Sequence, residues 1–175
     1  MPSLLENLKP KPQADILSID PGFRYLGYAV LTKEEILGAG LVTNLQDPDV
    51  PSWPKSNYPP SFLNLAYLLR EFNWCESPLA IIEFPQVHRD TPNPNDIIKL
   101  SAACGAYSSI LQAAGFTVQW ISPREWKGNV PKPIMFKRIL AKVREEEYSK
   151  IDKPKNHNVI DAVGIGLWLI KRQRN

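Results

Sequence analysis

Residues 79–84 read Leu-Ala-Ile-Ile-Glu-Phe, an unbroken apolar run closed by a carboxylate. A strand that can afford no polar face is covered on both sides, as in the middle of an α/β sheet. The chain must therefore build layers of helix on both faces of this strand. Three further strand-like runs come early and close together: 15–20 (DILSID), 25–32 (YLGYAVLT) and 35–43 (EILGAGLVT). The turns between them are short, which predicts an antiparallel meander. A proline-rich stretch at 44–60 reads as loop. Ser61 is placed to cap a helix over 62–75, with Phe62, Leu65, Leu68, Leu69 and Phe72 as its apolar stripe.

After the central strand, a proline-punctuated loop (85–94) leads to a helix over 95–114. Its small residues Ala102, Ala103, Gly105 and Ala106 suit close packing, and Gly115 suits its stop. A strand follows at 116–122, then a basic turn (PREWKGNVPKP), a helix over 134–148, a polar linker (149–156) and a last helix to about Lys171. The order βββαβαβαα predicts a mixed five-stranded sheet, three strands antiparallel and two parallel, flanked by helices. The 175 residues make one domain, with 1–13 as a flexible N-terminal arm. No run of 18 apolar residues exists to span a membrane, and no secretory pattern opens the chain. Cys75 and Cys104 form no CxxC pair and read as reduced thiols of a cytoplasmic protein.

The net charge of +3 hides an asymmetry: residues 124–175 hold 13 Lys or Arg against 6 Asp or Glu. A basic C-terminal third fits a polyanionic partner, although a solvated helix face has the same composition. Three carboxylates stand out. Asp20 ends the first strand just before Pro21-Gly22, a turn that leaves room for a phosphate or metal. Glu83 ends the apolar run, where a charge needs a cation to compensate it. Asp161 lies inside the apolar helix VIDAVGIGLWLI, with His157 and Asn158 four and three residues earlier on the same face. Singly, each has an ordinary reading, as a turn aspartate, a solvated strand end or a helix cap. Together they form a cluster of hard oxygen donors suited to Mg²⁺, with Mn²⁺ as substitute.

The segments SIDPG…LGYAVL (18–31), LAIIEFPQV (79–87), SPREWKGNVPKP (122–133) and HNVIDAVGIGLWL (157–169) resemble RuvC-type Holliday junction resolvases of the RNase H-like superfamily. The resemblance spans about residues 15–171. It implies an RNase H-like fold and a homodimeric endonuclease that nicks two strands of a four-way DNA junction symmetrically. Asp20, Glu83 and Asp161 match the family's metal-binding carboxylates. The family's fourth ligand, Asp or His, falls at Asn158, so the pattern departs there; we take His157 as the ligand and Asn158 as the alternative. The chemistry implied is hydrolysis with two metal ions per active site.

The resemblance also assigns Lys127 to the scissile phosphate, where it stabilises developing charge. Arg124, Lys132 and Lys137 are candidate DNA contacts, and Phe84 or His88 are candidates for a residue that wedges into the junction. The tail cations Lys171, Arg172 and Arg174 add general phosphate attraction. The compact size fits a phage-encoded enzyme. Three other readings stay open. One is an RNase H-like nuclease acting on flaps, forks or RNA–DNA hybrids. Another is a non-catalytic junction-binding module, against which three retained carboxylates argue. The third is a sugar-kinase or actin-type phosphotransferase, for which the chain is short and lacks Gly-rich phosphate loops.

Overall fold

The computed structural model describes residues 10–22, 25–42, 62–86 and 93–174. Five strands, β1 (Gln13–Pro21), β2 (Leu26–Leu31), β3 (Ile36–Val42), β4 (Asn73–Glu83) and β5 (Thr117–Ile121), form one sheet in the order β3-β2-β1-β4-β5. The β1–β2 and β2–β3 pairs are antiparallel, and β1–β4 and β4–β5 are parallel. This is the mixed sheet expected from the sequence. β4 lies inside it, which explains the two-sided apolar run.

Period-two alternation sorts the strand residues onto two cores. Ile16, Ala29, Leu31 and Ile81 face one layer, built from α6 (His157–Gln173) with α3 (Pro123–Lys127) and α4 (Lys132–Leu140). Leu17, Ile19, Val30, Ala80 and Ile82 face the other, built from α1 (Phe62–Arg70) and α2 (Pro94–Ala113). The helix α6 is buried along most of its length because it lies directly on the sheet. Two glycines allow that approach. A Cβ at Gly27 of β2 would collide with the Asn158 backbone, and one at Gly166 would meet Leu31 and Ser18. The buried Ser18 hydroxyl donates to the Ala162 carbonyl of α6 at 2.8 Å, tying the middle of β1 to the helix.

Several boundaries differ from the sequence reading. The first helix ends at Arg70, not 75, because Asn73 and Trp74 pair with Gln13 and Ala14 at the start of β4. The Trp74 indole donates to the Leu69 carbonyl at 2.8 Å and closes that corner. The basic turn contains α3, started by Ser122 and Glu125 in a reciprocal capping box with Pro123 in the first turn. The helix expected over 134–148 is two helices, α4 and α5 (Glu145–Tyr148). They part because the Glu147 carboxylate accepts from the Arg144 backbone N–H at 2.9 Å and from the Ile36 N–H at 2.8 Å, which turns the chain back onto β3. The supposed linker also pairs: Ala39 donates to the Lys150 carbonyl at 3.1 Å and accepts from Asp152 at 2.7 Å, covering the outer edge of β3. Gln13 of the expected arm is already strand; residues 1–9, Ser61 and the 44–60 loop lie outside the described residues. Among the described residues no helix is long and apolar enough to cross a membrane.

Candidate active site

Strand parity carries two of the carboxylates to one place. Asp20 continues the Ile16–Ser18 side of β1, and Glu83 continues the Leu79–Ile81 side of β4, so both face α6. The parallel register pairs Ile19 with Ile82, which puts Asp20 and Glu83 at the same end of adjacent strands. Asp161, one turn into α6, meets them there with its side chain 8% exposed.

Lys127 lies between. Its ammonium stands 3.4 Å from Glu83 Oε2 and 3.6 Å from Asp161 Oδ2. The neighbouring Trp126 indole N–H donates to the same Glu83 oxygen at 2.5 Å. Burial, then the charges of Glu83 and Asp161, push the Asp20 carboxyl well above the usual carboxylate range, against the weaker opposing pull of Lys127 and Lys132. Burial likewise raises Glu83, while Lys127 and the Trp126 hydrogen bond lower it and Asp161 raises it further. The pocket thus crowds acidic groups together, and the inserted Lys127 ammonium only partly offsets what opposes their ionisation.

Among the described residues no three His, Cys, Asp or Glu side chains already enclose a cation-sized space. Lys127 occupies the position between two of the three carboxylates. The donor set nevertheless fits a hard divalent ion: one buried and two half-buried carboxylates, mutually repelling, on rigid strand ends and a packed helix. Asp20, Glu83 and Asp161 are the residues that would hold it once the ammonium turns away.

The remaining predicted residues divide. Asn158 lies beside Asp20: its backbone abuts Gly27, the β2 partner of Asp20, and its amide donates to the Tyr25 carbonyl at 3.2 Å. His157 is exposed at the start of α6, its ring edge-on to Phe136 of α4 at 5.3 Å. Lys132 and Arg124 are exposed at the start of α4 and on α3, and Lys132 is close enough to act on Asp20. Lys137 is exposed on α4. Phe84 has the opposite parity to Glu83. It stacks on Trp120 with ring centroids 4.7 Å apart and packs against the α1–α2 core, so it points away from the carboxylates. His88 lies outside the described residues. Lys171 and Arg172 lie roughly 15 Å along α6 from Asp161, at 1.5 Å per residue. Both cysteines are free, and burial, then the Asp20 charge, pushes the Cys104 thiol up to about 12.

Trp126 is a site residue that the sequence analysis does not single out. A usable signal was present: a buried indole needs an acceptor for its N–H, and this one adjoins the candidate lysine.

An α/β sheet of this order, with acidic residues on two neighbouring strand ends and on the last helix, is an RNase H-like fold of the RuvC type. Thermus thermophilus RuvC matches at 17% identity with a TM-score of 0.58, over 91% of this chain and 95% of that one. The structure of the same protein in complex with a Holliday junction substrate matches at 18% identity and a TM-score of 0.61, over 91% of this chain and 94% of that one. No protein-family model and no curated protein sequence matches the chain.

Proposed function

We propose that the chain is a metal-dependent, structure-selective endodeoxyribonuclease that resolves four-way DNA junctions by paired symmetric nicks. The observation that carries this reading is the meeting of Asp20, Glu83 and Asp161, 141 residues apart end to end, around the Lys127 ammonium. The RuvC-type fold supports it, as does a neighbour of that fold solved with a Holliday junction.

In this reading Asp20, Glu83 and Asp161 bind Mg²⁺ or Mn²⁺. Asn158, beside Asp20, is better placed than His157 to add a fourth ligand. Two such ions, when bound, supply an activated water and a counter-charge for the leaving 3′ oxygen. Asp20 sits on the central strand β1 and would be the most firmly placed of the residues holding the ions. Lys127 turns from its carboxylates to the scissile phosphate and stabilises charge there. Lys132, Arg124 and Lys137 bind flanking phosphates and set register without reading sequence. Because Phe84 is already stacked on Trp120, His88, which lies outside the described residues, is the remaining candidate for a junction wedge. A homodimer supplies two sites for paired nicks. The small-residue side of α2 suits its interface, since a Cβ at Gly105 would meet nothing within 4 Å.

The test compares wild type with Asp20→Asn on labelled four-way junction, flap and linear duplex, in Mg²⁺, Mn²⁺ or EDTA. Wild type is expected to cut the junction with metal only, and Asp20→Asn to bind the junction nearly as well without cutting it. Equal cutting by the two proteins would reject the site. Preference for flap over junction would keep the chemistry and change the substrate to other branched DNA.

A further inference from the structure

Among the described residues, every hydrogen bond and ion pair that reaches the Glu83 carboxylate ends on one oxygen. Oε2 accepts from Trp126 Nε1 at 2.5 Å and from Lys127 Nζ at 3.4 Å, and among the described residues Oε1 accepts from none. The two donors differ in how firmly they are held. Lys127 has a long side chain, 22% exposed, that can swing away. Trp126 is 7% exposed and wedged: Ile139 of α4 lies against it, and only a glycine at 164 leaves room, since a Cβ there would stand 2.8 Å from the indole ring. The indole ring also lies 4.7 Å below the Lys127 ammonium, which steadies the cation where it now rests.

From this geometry we infer that Trp126 is a positioning residue for the metal centre: its indole N–H pins Glu83 Oε2, the oxygen that faces the Lys127 ammonium and, across it, Asp161 Oδ2, and so fixes how the carboxylate meets an incoming ion. The inference rests on the metal-site reading above. A carboxylate with one oxygen fixed by a rigid donor has one free orientation to lose on binding an ion, so the site is prepared before metal arrives. When Lys127 leaves for a phosphate, the Trp126 bond is what keeps Glu83 from rotating.

The test is Mn²⁺ binding followed by electron paramagnetic resonance, alongside single-turnover cutting of a four-way junction in Mn²⁺. Trp126→Phe keeps most of the ring and removes the donor. Trp126→benzothienylalanine keeps the shape of the indole and removes only the N–H, so it reports even where the phenylalanine variant folds poorly. Ile139→Val disturbs the same packing and leaves the hydrogen bond. Both Trp126 variants are expected to bind Mn²⁺ roughly tenfold more weakly and to cut at least tenfold more slowly, with junction affinity in Ca²⁺ unchanged. Ile139→Val is expected to match wild type in both assays. Wild-type Mn²⁺ affinity in the benzothienylalanine protein would overturn the inference, as would an equal loss in Ile139→Val. Failure of the wild-type protein itself to bind Mn²⁺ would instead overturn the metal site on which the inference stands.

Discussion

Replacing Gly27 by Ala tests whether the active site depends on one backbone contact. The new Cβ would collide with the carbonyl and carbon of Asn158, which are main-chain atoms in the first turn of α6 and cannot rotate aside. Restoring an ordinary carbon contact of about 3.5–4 Å requires the helix to shift by roughly 1 Å or more. That shift weakens the 2.8 Å Ser18–Ala162 hydrogen bond and unseats Gly166 from Leu31. Overpacking of this kind costs about 1–3 kcal/mol, and a weakened buried hydrogen bond adds about 1 kcal/mol. We expect a loss of about 3 kcal/mol, or a fall in Tm of roughly 6–12 °C for a domain of this size. The helix carries Asp161, so a displacement of about 1 Å should also slow junction cutting on the order of 100-fold. Gly105→Ala, read at a protein concentration that keeps the chain monomeric, is the control: nothing in the chain lies within 4 Å of its Cβ, and it should stabilise α2 by about 0.5–1 kcal/mol. Urea unfolding followed by tryptophan fluorescence measures both variants. A Gly27→Ala protein within about 0.5 kcal/mol of wild type, inside the usual scatter for surface changes, would refute the seating of α6 on β2.

Asp20 gives a prediction about pH. Its native pKa lies above its unfolded one, so its stabilising contribution is full below the ordinary carboxylate range and is lost as pH rises through the native value. In EDTA at neutral pH, Asp20→Asn should therefore melt above wild type, and the gap should close on acidification. Mg²⁺ should reverse the ranking, because only wild type gains binding free energy from it; a pH series of thermal melts with and without metal decides this. Glu147 behaves in the opposite sense. Its burial alone would raise its pKa, but Arg144 and the Ile36 and Arg144 backbone N–H groups outweigh that and hold it low. Its contribution is present above the ordinary carboxylate range and disappears as pH falls through the depressed native value. Glu147→Ala leaves the Ile36 N–H unpaired and should cost about 2–3 kcal/mol at neutral pH, measured by urea unfolding.

Much of the architecture was legible in local pattern. The two-sided apolar run, the meander before it and the alternation after it specify β4, the antiparallel strands and the flanking helices, because burial on both faces leaves few other arrangements. Asp20, Glu83 and Asp161 were visible as charges where charges are costly. Less legible were features set by contacts across long sequence distance. Glu147 looked like one more acid on a long helix, yet its bond to Ile36, 111 residues away, breaks that helix in two. Residues 150–152 read as linker, yet they cover a sheet edge. His157 and Asn158 share a helix face with Asp161 by spacing alone. Only the packing of α4 and β2 sends one ring toward Phe136 and the other side chain's amide to the Tyr25 carbonyl. Phe84 and Glu83 adjoin in sequence but lie on opposite faces of the sheet, a separation that strand parity creates and only the register of β4 with β1 and β5 anchors. Local sequence thus determined which elements form and which residues are too polar for their surroundings. Tertiary structure decided which of those residues meet, because a side chain's partner depends on the rigid placement of elements that no short window of sequence contains.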